Sequence, residues 1–217
     1  MVKDSNKKSE NNINLITSWI KDNIVCLILV FVFIILFVIT SNNELIFNKL
    51  ASCDLQYMQN EYYRWFTAIL LHFNFSHIFF NSLALIAVGS LISPFIGKCK
   101  TAFIFFICGA LAEVIYSFIV TNSVVVYGAG SSGGIFALIA TLMVCYLRFP
   151  AAFPSKWYRV DVIIVVAFFF LANDNIGSFL THIFGFTIGI IIAFIMIVFK
   201  IIKDKTLPTN IYPATFS

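Results

Sequence analysis

The three histidines of this sequence, His72, His77 and His182, each fall at or within a run of apolar residues. A polar side chain in such a run costs free energy unless it has a partner or lines a cavity. In His72-Phe-Asn-Phe-Ser-His77-Ile-Phe-Phe-Asn81, His77 and Asn81 are four residues apart, so on a helix they share one face. Both can donate hydrogen bonds sideways. Further on, Gly128-Ala-Gly-Ser131-Ser132-Gly133-Gly134 is a glycine-rich turn that opens another apolar segment. A serine at a helix start lies beside unpaired backbone N–H groups and the positive end of the helix dipole, which favours developing negative charge. Those are the properties of a nucleophile with part of an oxyanion hole. Such a hydroxyl needs a base, and His182 is the candidate, followed by Gly185 and Gly189. Glycines at i and i+4 flatten one helix face, and Gly133, Ala137 and Thr141 present small residues at the same spacing. Two such faces let helix axes approach closely, and if these two spans pack there, Ser132 and His182 lie near the same ends of their helices, where a hydrogen bond is expected.

The elements that must position these groups follow from composition. Of 217 residues, 60% are hydrophobic and 11% charged, with 26 Phe. Globular chains average about 25% charged residues, so a soluble enzyme is excluded and lipid must cover the apolar surface. Apolar runs at about 24–40, 72–92, 102–121, 132–149, 160–172 and 179–199 predict six spans, an all-α membrane bundle over 24–200. Residues 1–23 and 201–217 read as polar tails. The first run has no A-x-A type cleavage site after it, so it is read as a retained span. The loop 41–71 carries Tyr57, Tyr62, Tyr63 and Trp65 among a few charges, as suits a membrane–water interface. With six spans, twelve of the 14 Lys and Arg fall on the side of the termini and only Lys49 and Arg64 on the other. That places both termini in the cytoplasm and the histidines in the extracellular half. The net charge of +4 is thus a topology signal and not a nucleic-acid footprint. Five cysteines without a CxxC pair read as small buried hydrophobes and not as a disulfide framework or zinc ribbon.

Other chemistries fit less well. His72 and His77 are five apart, off a shared face, and no H-E-x-x-H helix occurs, so no metal is expected. An aspartyl intramembrane protease needs two mid-span Asp, which this chain lacks, and a transporter is disfavoured by the absence of an internal repeat. Glu113 is the one acidic residue well inside a span; it is read as protonated, hydrogen-bonded to a neighbouring span, or exposed to a water cavity. For His72, Asn74 and Ser131 two readings stand, retention of water at the site or a structural hydrogen bond.

Together these residues resemble the rhomboid intramembrane serine proteases, from about Glu61 to Gly189 and in the family's order. His72, His77 and Asn81 look like the second-span motif, Gly130-Ser131-Ser132-Gly133 like the G-x-S-G nucleophile motif, and His182 with Gly185 and Gly189 like the last-span base motif. The resemblance implies a six-helix rhomboid-like bundle in which Ser132 is the nucleophile and His182 its general base, without a third carboxylate. It implies an oxyanion hole of His77, Asn81 and the Ser132 backbone N–H, with Ser131 the variable x of the motif. The implied activity is hydrolysis of peptide bonds in or next to transmembrane segments of membrane-protein substrates, with the bilayer as surroundings and no cofactor. The alternative is a catalytically silent binder of single-span proteins, expected to lack Ser or His. The compact six-span form points to a bacterial plasma membrane. Two departures stand out: Tyr63 replaces the usual Trp of the first-loop Trp-Arg motif, and Ser93 stands where a Glu is common.

Overall fold

A computed structural model describes residues 2–153 and 176–204. Helix α1 (Val2–Thr40) is continuous, so the polar segment before residue 24 is helical and runs directly into the first span. It contains no Pro or Gly, and propagating an existing helix is far cheaper than nucleating one. The stretch Asn12–Thr40 of α1, together with α4 (Phe75–Ile96), α5 (Lys98–Ile119) and α7 (Ile176–Val198), is long and apolar enough to cross a membrane. Helix α6 (Ser132–Arg148) has 17 residues, at the lower limit for a span. The expected span 160–172, with Lys156 and Arg159, lies outside the described residues, as does Lys205. The architecture is an all-α membrane bundle.

Helix α6 lies at its centre. Gly133 to Leu142 are buried without interruption, so the helix has no outward face along that stretch. It packs against α4, α5 and α7. The contact with α7 is at backbone level: a Cβ on Gly185 would collide with the Gly133 carbonyl, and one on Gly189 would lie 2.6 Å from both Cα and O of Ala137. On the α5 side a Cβ on Gly134 would meet the Phe105 carbonyl oxygen at 2.5 Å. Around this spine Phe33, Leu85, Ile92, Ile104, Phe105, Leu138 and Leu142 form the fully buried apolar core. Helix α1 is fastened to α4 by Trp19 Nε1 donating to Ser90 Oγ (3.1 Å) and by Ser93 Oγ donating to the Asp22 carbonyl (2.5 Å). Ser93, which departs from the family pattern, thus makes an interhelical tie of its own.

The long first loop carries two short helices, α2 (Glu44–Leu50) and α3 (Arg64–Thr67), and a two-residue strand β1 (Ser52–Cys53). Arg64 is its hub: Nε and Nη2 donate to Glu61 Oε2 (2.8 and 2.5 Å) and Nη1 donates to the Asn48 carbonyl (2.8 Å). The guanidinium holds the Glu61 carboxyl below the usual carboxylate range, chiefly through these hydrogen bonds. Tyr63, the other departure, donates from its hydroxyl to the Lys49 carbonyl (3.1 Å), another link within the loop. The loop reaches across the bundle: β1 pairs antiparallel with β2 (Tyr127–Gly128), and Asp54 Oδ2 accepts from the Asn122 backbone and side-chain N–H groups (2.9 and 2.8 Å).

Candidate active site

The segment from Gly128 into α6 takes its shape from three local facts. Gly130 has φ of +142°, in the region that favours glycine, and a Cβ there would stand 2.9 Å from His77 Cε1. Its N–H donates to the Ala68 carbonyl (3.0 Å), which anchors the turn. Ser131 then occupies the N-cap, and the first helical bond runs from Ile135 N–H to its carbonyl (3.1 Å). The N–H groups of Ser132, Gly133 and Gly134 precede that bond and have no acceptor within the helix.

The two serines differ in surroundings. Ser131 is fully buried, and its hydroxyl lies 3.3 Å from His72 Nε2. Ser132 is half-buried on the first turn. One turn along the same face is Phe136, and the His182 ring lies over it at 4.3 Å between centroids. His182 is itself buried, and the preceding Thr181 packs on Gly133, its Cγ2 3.3 Å from where a Gly133 Cβ would be. Backbone contact between α6 and α7 therefore brings His182 to the Ser132 face. Among the described residues no hydrogen bond joins Ser132 Oγ to His182; catalytic hydrogen bonds often tighten only when substrate is bound.

Helix α4 supplies the opposite wall. Asn74 caps it, its Oδ1 accepting from the His77 N–H at 2.9 Å. That gives Asn74 a structural role, and it starts the helix at Phe75, so His72 lies in the turn before the helix and not inside a span. The position of a Gly130 Cβ is 3.0 Å from His77 Nε2 and 3.7 Å from Ser132 Oγ, so these two polar atoms flank one glycine. His77 meets the His72 ring edge-on at 5.1 Å. Asn81 follows one turn along α4; its Nδ2 is buried and has no acceptor among the described residues. A buried amide donor left unpaired is costly, which marks a place where an acceptor is expected to arrive.

The structure thus gathers His72, His77, Ser131, Ser132 and His182 at one end of the bundle, with Asn81 one turn beyond His77 on α4 and with Gly133, Gly185 and Gly189 forming the seam that joins α6 to α7. Among the described residues no cluster of three His, Cys, Asp or Glu side chains is arranged to hold a metal ion. Sequence reasoning did not find Ala68, whose carbonyl holds Gly130; an apolar residue acting through its backbone leaves no signal in the sequence.

A helical membrane bundle with a serine on the first turn of a buried helix, faced by histidines from two neighbouring helices, defines a class of membrane protein built around a polar site within apolar helices. The family model for the rhomboid domain matches residues 59–199, and the chain belongs to the rhomboid family. A protein of Bacillus subtilis (strain 168) described as "Putative rhomboid protease YdcA" is similar to it, 26% identical over 147 residues that cover 66% of this chain and 72% of that protein.

Proposed function

We propose that the protein is an intramembrane serine endopeptidase that cleaves peptide bonds in or next to the transmembrane segments of membrane-protein substrates through a Ser132–His182 dyad. The observation that carries this reading is the contact of the His182 ring with Phe136, 4.3 Å between centroids and one turn from Ser132 on the same face of α6, together with His77 Nε2 and Ser132 Oγ both close to Gly130. In the first step Ser132 Oγ attacks the scissile carbonyl carbon and its proton passes to His182. The C–O π electrons move onto oxygen, where the Ser132 N–H, His77 and Asn81 Nδ2, which has no acceptor among the described residues, donate to the oxyanion. Collapse expels the amine, which takes the proton back from His182, and water then hydrolyses the acyl-enzyme by the same relay. In this reading His72 and Ser131, 3.3 Å apart beside His77, hold that water or brace the site by their mutual hydrogen bond.

The distribution of Lys and Arg supports a multi-pass topology with both termini cytoplasmic and the site opening to the outer face, and the compact six-span form favours a bacterial plasma membrane. The test is purified protein in proteoliposomes with a single-span substrate and a fluorophosphonate probe. Wild type is expected to cleave and to be labelled at Ser132, whereas Ser132→Ala and His182→Ala do neither. Cleavage that survives in Ser132→Ala overturns the dyad. An unlabelled, inactive wild type points instead to a binder of single-span proteins.

A further inference from the structure

Glu113 is the acidic residue that the mechanism does not use. It lies in α5, 5% exposed, and its Oε2 is 2.5 Å from Ser52 Oγ. The same Ser52 Oγ lies 3.2 Å from the Gly128 carbonyl, four residues before Ser132. Ser52 and Gly128 are also paired residues of the β1–β2 ladder. The packing is tight: a Cβ on Gly128 would be 2.5 Å from Ser52 Oγ and 3.3 Å from Glu113 Oε2.

Counting protons orders this triad. A serine hydroxyl has one proton, and a carbonyl oxygen only accepts. If Glu113 were ionised, the single Ser52 proton would have to serve both oxygens, and a carboxylate would be buried with no cation bonded to it among the described residues. With a neutral carboxyl the chain is complete: Glu113 Oε2–H donates to Ser52 Oγ, and Ser52 Oγ–H donates to the Gly128 carbonyl.

We propose that Glu113 is a positioning residue for the nucleophile turn, acting as a neutral carboxylic acid that holds Gly128 through Ser52; this rests on the serine-protease reading of Ser132. The turn is then fastened at its entry by Glu113–Ser52, in its middle by Gly130 N–H on Ala68, and at its exit by α6. Glu113 touches neither substrate nor the reacting atoms. It sets where the Ser132 backbone N–H and hydroxyl stand relative to His77 and His182.

The test compares Glu113→Gln, Glu113→Leu and Ser52→Ala in the full chain in proteoliposomes, by steady-state kinetics and by amide hydrogen exchange over residues 124–131. A glutamine amide N–H donates to Ser52 Oγ as a neutral acid does, so Glu113→Gln is expected to keep kcat within about threefold, whereas Glu113→Leu and Ser52→Ala lower kcat about 10- to 100-fold with KM within about twofold. The double variant Ser52→Ala/Glu113→Leu is expected to be no worse than the poorer single, because both break one chain. Exchange at Gly128 to Gly130 is expected to rise in the Leu and Ala variants and not in the Gln variant. The same pattern is expected on a Ser132→Ala background, so the exchange result stands even if wild type proves not to be a protease. Ser52→Ala removes one hydroxyl from a two-residue strand and decides the matter if Glu113→Leu does not fold. A Gln variant as impaired as Leu, a loss expressed in KM alone, or unchanged exchange in both Leu and Ala overturns the proposal.

Discussion

Replacing Gly189 by Ala tests the idea that α6 and α7 must touch at backbone level for the site to form. The added Cβ would lie 2.6 Å from both Cα and O of Ala137, and these are backbone atoms that no rotamer change can move. Ordinary contact begins at 3.4 Å, so the helices must separate locally by about 0.8 Å. Overpacking of this kind costs about 1–3 kcal/mol, which for a chain of this size lowers the thermal midpoint by about 2–12 °C. The catalytic effect is expected to be larger. His182 is on the same helix, two turns before Gly189, and a misplacement of about 1 Å can cost about 100-fold, so kcat should fall about 10- to 100-fold with KM little changed. Gly133→Ala provides the internal comparison, because its Cβ would meet the Thr181 methyl at 3.3 Å, the end of a side chain that can shift, and Ala112 Cβ at 3.4 Å, an ordinary van der Waals separation. Its loss should stay below about tenfold. Both variants are measured in proteoliposomes for cleavage and by thermal denaturation in detergent. A Gly189→Ala protein with normal midpoint and turnover, or a Gly133→Ala protein that is equally impaired, refutes the backbone-contact argument.

Gly130→Ala should reduce fluorophosphonate labelling of Ser132 at least about tenfold, because Ala is strained at φ of +142° and its Cβ displaces the His77 ring. Asn81→Ala should lower kcat about 100- to 1,000-fold while leaving the thermal midpoint unchanged or raised, since the change deletes a buried donor that has no acceptor among the described residues. A drop in both kcat and midpoint would make Asn81 structural instead. The Glu61 carboxyl is depressed by Arg64, so its stabilisation of the first loop is complete above the unfolded glutamate pKa of about 4.3 and fades as pH falls through the lower folded value. Glu61→Gln should therefore flatten the acid limb of the midpoint against pH, and an unchanged limb rules the pair out as its cause.

The site was legible in the sequence to the extent that its geometry is helical. The spacing of His77 and Asn81 on α4 is a property of one helix and follows from its period, whereas the Phe136 contact of His182 had no such signal. The small-residue faces were legible for a related reason: a row of Gly and Ala has meaning only if a partner backbone comes close, and Gly185 on Gly133 with Gly189 on Ala137 is the in-register form of that contact. Links between distant segments were not legible. Ser52 is 61 residues from Glu113 and 76 from Gly128, and the strand pairing that joins them is two residues long, too short to leave an alternating pattern. The polar composition of residues 1–23 likewise hid the extension of α1, because helix propagation depends on the span that follows and not on the segment's own apolar content.

Ser131 and Ser132 show why position and not residue type selects the reactive hydroxyl. The cap conformation turns Ser131 into the fully buried wall, where His72 meets its oxygen. The next residue begins the helix and inherits the face that carries Phe136, and so the face that receives His182. That outcome depends on the turn before it. Gly130 at positive φ sets the direction in which the chain enters α6, and Ala68 and Ser52 hold the turn from the first loop. A shift of one residue in that entry would carry Ser132 about 100° around the helix, off the face that carries Phe136 and receives His182. The first loop, which carries none of the reacting groups, therefore helps to decide which serine faces His182 and which meets His72.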